Sequence, residues 1–155
     1  DHLVCLPQGC CGTWSGKRPA VLLYAEAPEA ARFDPALSAH HSDVRIVDWT
    51  REPVLDSKHD ARKRIYVATP QLFGTHAIKG EMIIYPPGTA AANHHHVGAE
   101  HFLYVMRGRG TVYPNQQPFP ARKGDVKYYP GLAQNGNESG PVCGSGFAER
   151  APPRA

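Results

Sequence analysis

At 155 residues, 41% hydrophobic and 20% charged, with a formal net charge of +3, the chain has the size and composition of one globular domain, able to bury roughly two-thirds of the surface its unfolded form exposes. Its basic residues, among them Arg45, Arg51, Arg62, Lys63, Arg64, Arg107, Arg109 and Arg122, form no long cluster, which excludes an electrostatic nucleic-acid footprint. No apolar run reaches membrane-spanning length, and no basic region with a following hydrophobic stretch opens the sequence, so a soluble, cytoplasmic protein without membrane partners is expected.

The 15 Gly and 15 Pro favour short strands joined by many turns, and so an all-β domain. Residues 1–43 show little alternation and read as an N-terminal extension. Three of the four cysteines, Cys5, Cys10 and Cys11, lie there in CLPQGCCG, with Cys143 far downstream. Their spacing matches no zinc-finger or paired CxxC pattern, so a disulfide or a thiol-bearing tail is expected. The stretch APEAARFDPALSAHH is at best a short helix broken at Pro35.

From residue 44 the texture becomes β-rich. Strand candidates are VRIVDW at 44–49, KRIYVATP at 63–70, HAIKGEMIIYPPG at 76–88, HHHV at 94–97, HFLYVMRG at 101–108, GTVYP at 110–114, DVKYYPG at 125–131 and PVCGSGFAE at 141–149. PPGT, GRG, PNQQP and GNESG separate them with turn formers, and KHDARKR at 58–64 reads as a solvated loop. Eight strands at this spacing match a jelly roll over residues 44–150, with 151–155 as a loose tail. No internal repeat appears, which implies one barrel and one site per chain.

Four of the nine histidines sit at His94, His95, His96 and His101. Alternate side chains of a strand share a face, so His94 and His96 can converge while His95 turns away. Two imidazoles and a third donor across a short turn suit Fe, Zn, Ni, Cu or Mn. Glu100 and His101 are adjacent, so one faces the interior and the other faces out. With His101 inward, Leu103 and Val105 join it. Glu100, Phe102, Tyr104 and Met106 then form an outer row apolar enough to need a cover, from the extension or a partner subunit. With Glu100 inward, the site becomes two His and one carboxylate.

This segment resembles the first signature of the cupin superfamily, G(X)5HXH(X)3–4E(X)6G. Five residues separate Gly88 from His94, His96 follows, and six residues separate His101 from Gly108, so that histidine stands where the family has glutamate. The second signature, G(X)5PXG(X)2H(X)3N, is similar to GDVKYYPGLAQNGNES: Gly124 and Pro130 fit, Gly131 is one place early, and Asn135 occupies the histidine position. The resemblance implies a double-stranded β-helix barrel holding one divalent ion per chain, Fe(II) in preference to Zn, Ni or Mn. His94, His96 and His101 are the implied ligands, with Asn135, Gln134, a water or His76 at the fourth corner. It further implies a homodimer acting on a small molecule. The favoured activity is a dioxygenase chelating an aromatic or enolic oxygenated substrate. A redox-silent isomerase, lyase or cyclase, with Glu100 or a tyrosine such as Tyr104 moving the proton, is the alternative, and a non-catalytic ligand-binding barrel is a third.

Overall fold

In a computed structural model, residues 2–7, 9–35, 44–95, 99–129 and 134–150 are described, with 93, 95 and 134–150 described through their backbone. In chain order the elements are β1 (His2–Cys5), α1 (Ala30–Phe33), β2 (Arg45–Asp48), β3 (Leu55–Asp56), β4 (Lys63–Ala68), α2 (Pro70–Phe73), β5 (Ile78–Tyr85), β6 (Ala90–His95), β7 (His101–Val112), a 3-10 turn (Pro114–Gln116), β8 (Phe119–Arg122), β9 (Val126–Tyr129) and β10 (Gln134–Arg150). The main sheet runs β3-β4-β5-β10-β7-β8, with β6 also on β10 and β9 also on β7. This is the all-β jelly roll expected. No described helix is long and apolar enough to cross a membrane.

Strand β7 explains how one segment serves two neighbours. Its first part pairs with β9 (His101↔Tyr129 to Tyr104↔Val126) and its last part with β8 (Arg109↔Arg122 to Val112↔Phe119). Gly108 lies between them at φ 82°, a conformation that glycine takes without a Cβ penalty. GRG is therefore a bend inside one strand, where the sequence suggested a break. GNESG likewise lies within β10, paired with β6 and β7. PPGT does form a turn, closed by the Thr89 N–H donating to the Pro86 carbonyl at 3.2 Å.

The segment at 44–49 forms a strand, but its partner is β1 in a separate two-stranded sheet, with Leu3 opposite Val47. That ribbon buries Val47 against Ala68 and Phe73, with Leu3, Cys5 and Leu72 packed alongside. Burial pushes the Cys5 thiol pKa up, and Cys5, Cys10 and Cys11 are free thiols. Helix α2 is placed by its ends: Thr69 accepts the Leu72 N–H, Pro70 opens the first turn, and Gly74 closes it at φ 68°. Helix α1 ends before Pro35 and buries Phe33 and Asp34. The Asp34 carboxylate accepts the His76 backbone N–H at 2.7 Å, tying the N-terminal segment to the start of β5.

The larger core lies inside the barrel. Ile83 and Tyr85 from β5, Ala91 from β6, Leu103, Val105 and Val112 from β7, Ala121 and Tyr129 pack as one cluster.

Candidate metal centre

Alternation along β7 decides which of two adjacent residues enters the barrel. His101, Leu103 and Val105 are buried, whereas Phe102, Tyr104 and Met106 are half-buried and Glu100 is exposed. His101 is only 5% exposed. Its ring stacks on Tyr129, directly opposite in the β7·β9 ladder, with centroids 5.3 Å apart and planes 25° from parallel. Tyr129 is 1% exposed. Burial, reinforced by the neighbouring Tyr85, pushes its phenol pKa up to about 12, so it stays a neutral hydrogen-bond donor near neutral pH.

This parity separates the two residues expected to move protons from the interior. Glu100 is exposed, and Tyr104 belongs to the outer row with Phe102 and Met106. A strand cannot present consecutive side chains to one face, so inward His101 excludes inward Glu100 and Tyr104. The interior phenols are instead Tyr129 and Tyr85. Their signal in the sequence is weak: Tyr129 is one of two adjacent tyrosines, and only the ladder shows which is inside.

His94 is half-buried on β6. Its Nδ1 lies 2.9 Å from the Ala92 carbonyl oxygen. A carbonyl only accepts, so Nδ1 carries the proton in this contact and the neutral ring keeps its lone pair on Nε2. That is the tautomer a metal ligand needs, with the second nitrogen steadied by a carbonyl. The backbone of Asn135 pairs opposite His94 and that of Gln134 opposite His95, so these two fourth-corner candidates lie across the ladder from the histidine run, whereas His76, also a candidate, is exposed just ahead of β5. His96 falls outside the described residues. Among the described residues no group of three His, Cys, Asp or Glu side chains is assembled for an ion. The donors that are described fit one: His94 by its tautomer, His101 by its burial on the inner row.

A further charged group borders the same core. Far from being a solvated loop, KHDARKR folds two side chains inward. Asp60 and Arg62 are 14% and 13% exposed and meet at 2.6 Å. The Arg62 guanidinium sits 5.9 Å from the centroid of the Tyr85 ring. Burial opposes its charge, but Asp60 and Tyr85 outweigh that and raise its pKa further.

A jelly-roll barrel with an imidazole in its core and a second at the β6–β10 edge defines a class, the double-stranded β-helix proteins. The cupin domain family model matches residues 81–133. Solved structures with the same fold include an RmlC-like cupin from Shewanella frigidimarina NCIMB 400, with 18% identity, 70% of this chain and 90% of that one covered, and a TM-score of 0.58. A predicted oxalate decarboxylase from Thermotoga maritima shares 16% identity over 66% of this chain and 94% of that one, with a TM-score of 0.57. The polyketide cyclase RemF from Streptomyces resistomycificus shares 17% over 70% and 78%, with a TM-score of 0.59. No curated protein matches the sequence. Residues 81–133 thus resemble a cupin domain, and the chain has the fold of these cupin structures.

Proposed function

We propose that this chain is a metal-dependent cupin enzyme in which His94, His96 and His101 hold one divalent ion, Fe(II) by preference, and that it acts as a dioxygenase on a small aromatic or enolic oxygenated substrate. The observation that carries this reading is the burial of His101, with Glu100 outside, which leaves the proposed ligands without a carboxylate and neutral. Such a set leaves positions for a chelating substrate, and a bound Fe(II) would supply Lewis acidity and oxygen activation there. Leu103, Val105, Ala91 and Val112 line an apolar interior that excludes water. Tyr129 holds the His101 ring in place and keeps its own proton. The backbone pairing of Asn135 across the ladder from His94 supports that residue as the fourth-corner ligand.

A second reading, a redox-silent Zn(II), Ni(II) or Mn(II) enzyme for isomerisation, elimination or cyclisation, draws support from Tyr129, a protonated phenol next to a candidate ligand. Metal analysis of protein purified without chelator, followed by oxygen uptake with catechols, gentisate-like acids and diketones, separates the two. Iron with oxygen uptake is the expected result. Zinc at one per chain without uptake favours the second reading. His96→Ala and His101→Ala abolish metal binding and His95→Ala leaves it nearly intact. Equal loss from His95→Ala and His96→Ala refutes the alternation on which the ligand set rests.

A further inference from the structure

The β4–β5 wall carries charge where the rest of the core is apolar. In its ladder Arg64 lies directly opposite Ile83, and Ile83 packs in the buried cluster with Tyr85, Leu103 and Tyr129. Directly opposed residues of an antiparallel pair share a face, so Arg64 stands on the barrel side. Arg62, two residues earlier, is on that side too, over the Tyr85 ring. The Arg64 side chain is 21% exposed, and its Nη1 is 3.3 Å from Glu81 Oε2. That is long for a charge-assisted contact, which is ordinarily about 2.7–2.9 Å. Glu81 is also shared with Lys79 at 3.5 Å. The Arg64 Nε is buried and makes no hydrogen bond among the described residues. A buried N–H on a charged group without a partner is rare and calls for an explanation. Beside it, Arg62 is already paired with Asp60.

We propose that Arg64, flanked by Arg62, is the substrate's anion anchor: its Nε–H and a neighbouring Nη–H form a fork that takes a carboxylate, so the substrate is a small carboxylic acid rather than a neutral diketone. This rests on the barrel-site reading above and narrows its substrate class. The guanidinium edge matches two carboxylate oxygens with two parallel hydrogen bonds, which an ammonium does not. Arg62, already bonded to Asp60 through Nε and Nη2, contributes field rather than contact.

The test is calorimetric titration of the full chain, metal-free and zinc-loaded, with benzoate and succinate and with their neutral amides. The wild type is expected to bind at least one acid ten-fold or more tighter than its amide. Arg64→Gln is expected to remove that margin while metal content stays the same, and Arg64→Lys to recover part of it. Glu81→Gln, which frees Nη1, raises acid affinity several-fold and decides the matter if Arg64→Gln fails to fold. The proposal is overturned by no acid binding above its amide, by equal acid binding in wild type and Arg64→Gln, or by unchanged or weaker acid binding in Glu81→Gln. A protein that takes up no metal yet binds acid through Arg64 keeps the anchor and sinks the metal reading. Metal uptake with acid affinity indifferent to Arg64 does the reverse.

Discussion

Replacing Asp60 by Asn tests how firmly the arginine wall is held. The Asp60 carboxylate accepts Nε and Nη2 of Arg62 at 2.8 and 2.6 Å and the Arg62 backbone N–H at 3.0 Å. The Arg62 hydrogen bond lowers its pKa from the ordinary 3.8 to about 2, against the opposing effect of burial. Because the folded value lies below the unfolded one, the unfolded chain binds more protons in between. The stabilisation is therefore fully present above the unfolded value and disappears as the pH falls through about 2. The full difference corresponds to a ceiling of about 2.5 kcal/mol, which solvent screening at this partly open loop reduces to about 1 kcal/mol. Urea unfolding of wild type and Asp60→Asn at pH 7, 5, 4 and 3 measures it. The variant should be less stable by about 1 kcal/mol at pH 7 and 5, with the gap narrowing below pH 4. A gap that stays constant from pH 7 to 3, or widens toward acid, refutes the ion pair as the source of the stability.

Two further substitutions probe the scaffold. At Gly80 an added Cβ would lie 3.1 Å from the Ala68 Cβ and 3.4 Å from Val67 Cγ2, so Gly80→Ala should cost about 1–3 kcal/mol by overpacking. A urea midpoint within error of wild type would show that β4 and β5 can separate there without cost. Asp34→Ala removes the buried carboxylate that accepts the His76 backbone N–H and should cost about 1.5–3 kcal/mol. The same change should speed tryptic cleavage after Arg32, on helix α1, and unchanged cleavage would mean that the N-terminal segment is anchored elsewhere.

The readable part of this fold is the part encoded locally. HFLYVMRG carries the two-residue alternation that puts His101, Leu103 and Val105 on one row, and PPGT and GDVKYYP carry turn chemistry in the chain itself. What escaped depends on distant partners. HLVC is too short to declare itself a strand, because its ladder partner, Arg45–Asp48, lies some forty residues away. KHDARKR reads as solvated because every residue but Ala61 is polar. Two of its arginines face the core only because the β5 register sets them beside Tyr85 and Ile83. GRG and GNESG show the converse: turn-forming residues remain in strands when ladders on both sides outweigh their local preference. At the site, spacing offered His101 and Glu100 as rivals, and the pleat of β7 separates them.

That one-residue choice also sets the electrostatics of the interior. With Glu100 inward, a carboxylate would offset part of a divalent ion's charge. With His101 inward, the ligands of the proposed site would be neutral and the ion's charge would be left for the substrate to balance. The adjacent wall adds Arg64, whose buried Nε makes no hydrogen bond among the described residues. In a core lined by Ala91, Leu103, Val105 and Val112, uncompensated charge carries a desolvation cost that a neutral ligand cannot offset. The donor set proposed above and the Arg64 wall would therefore ask for the same thing, an anion bound in the barrel. The parity of β7 and the register of β4 on β5 are independent features of the chain, and both favour an acidic substrate.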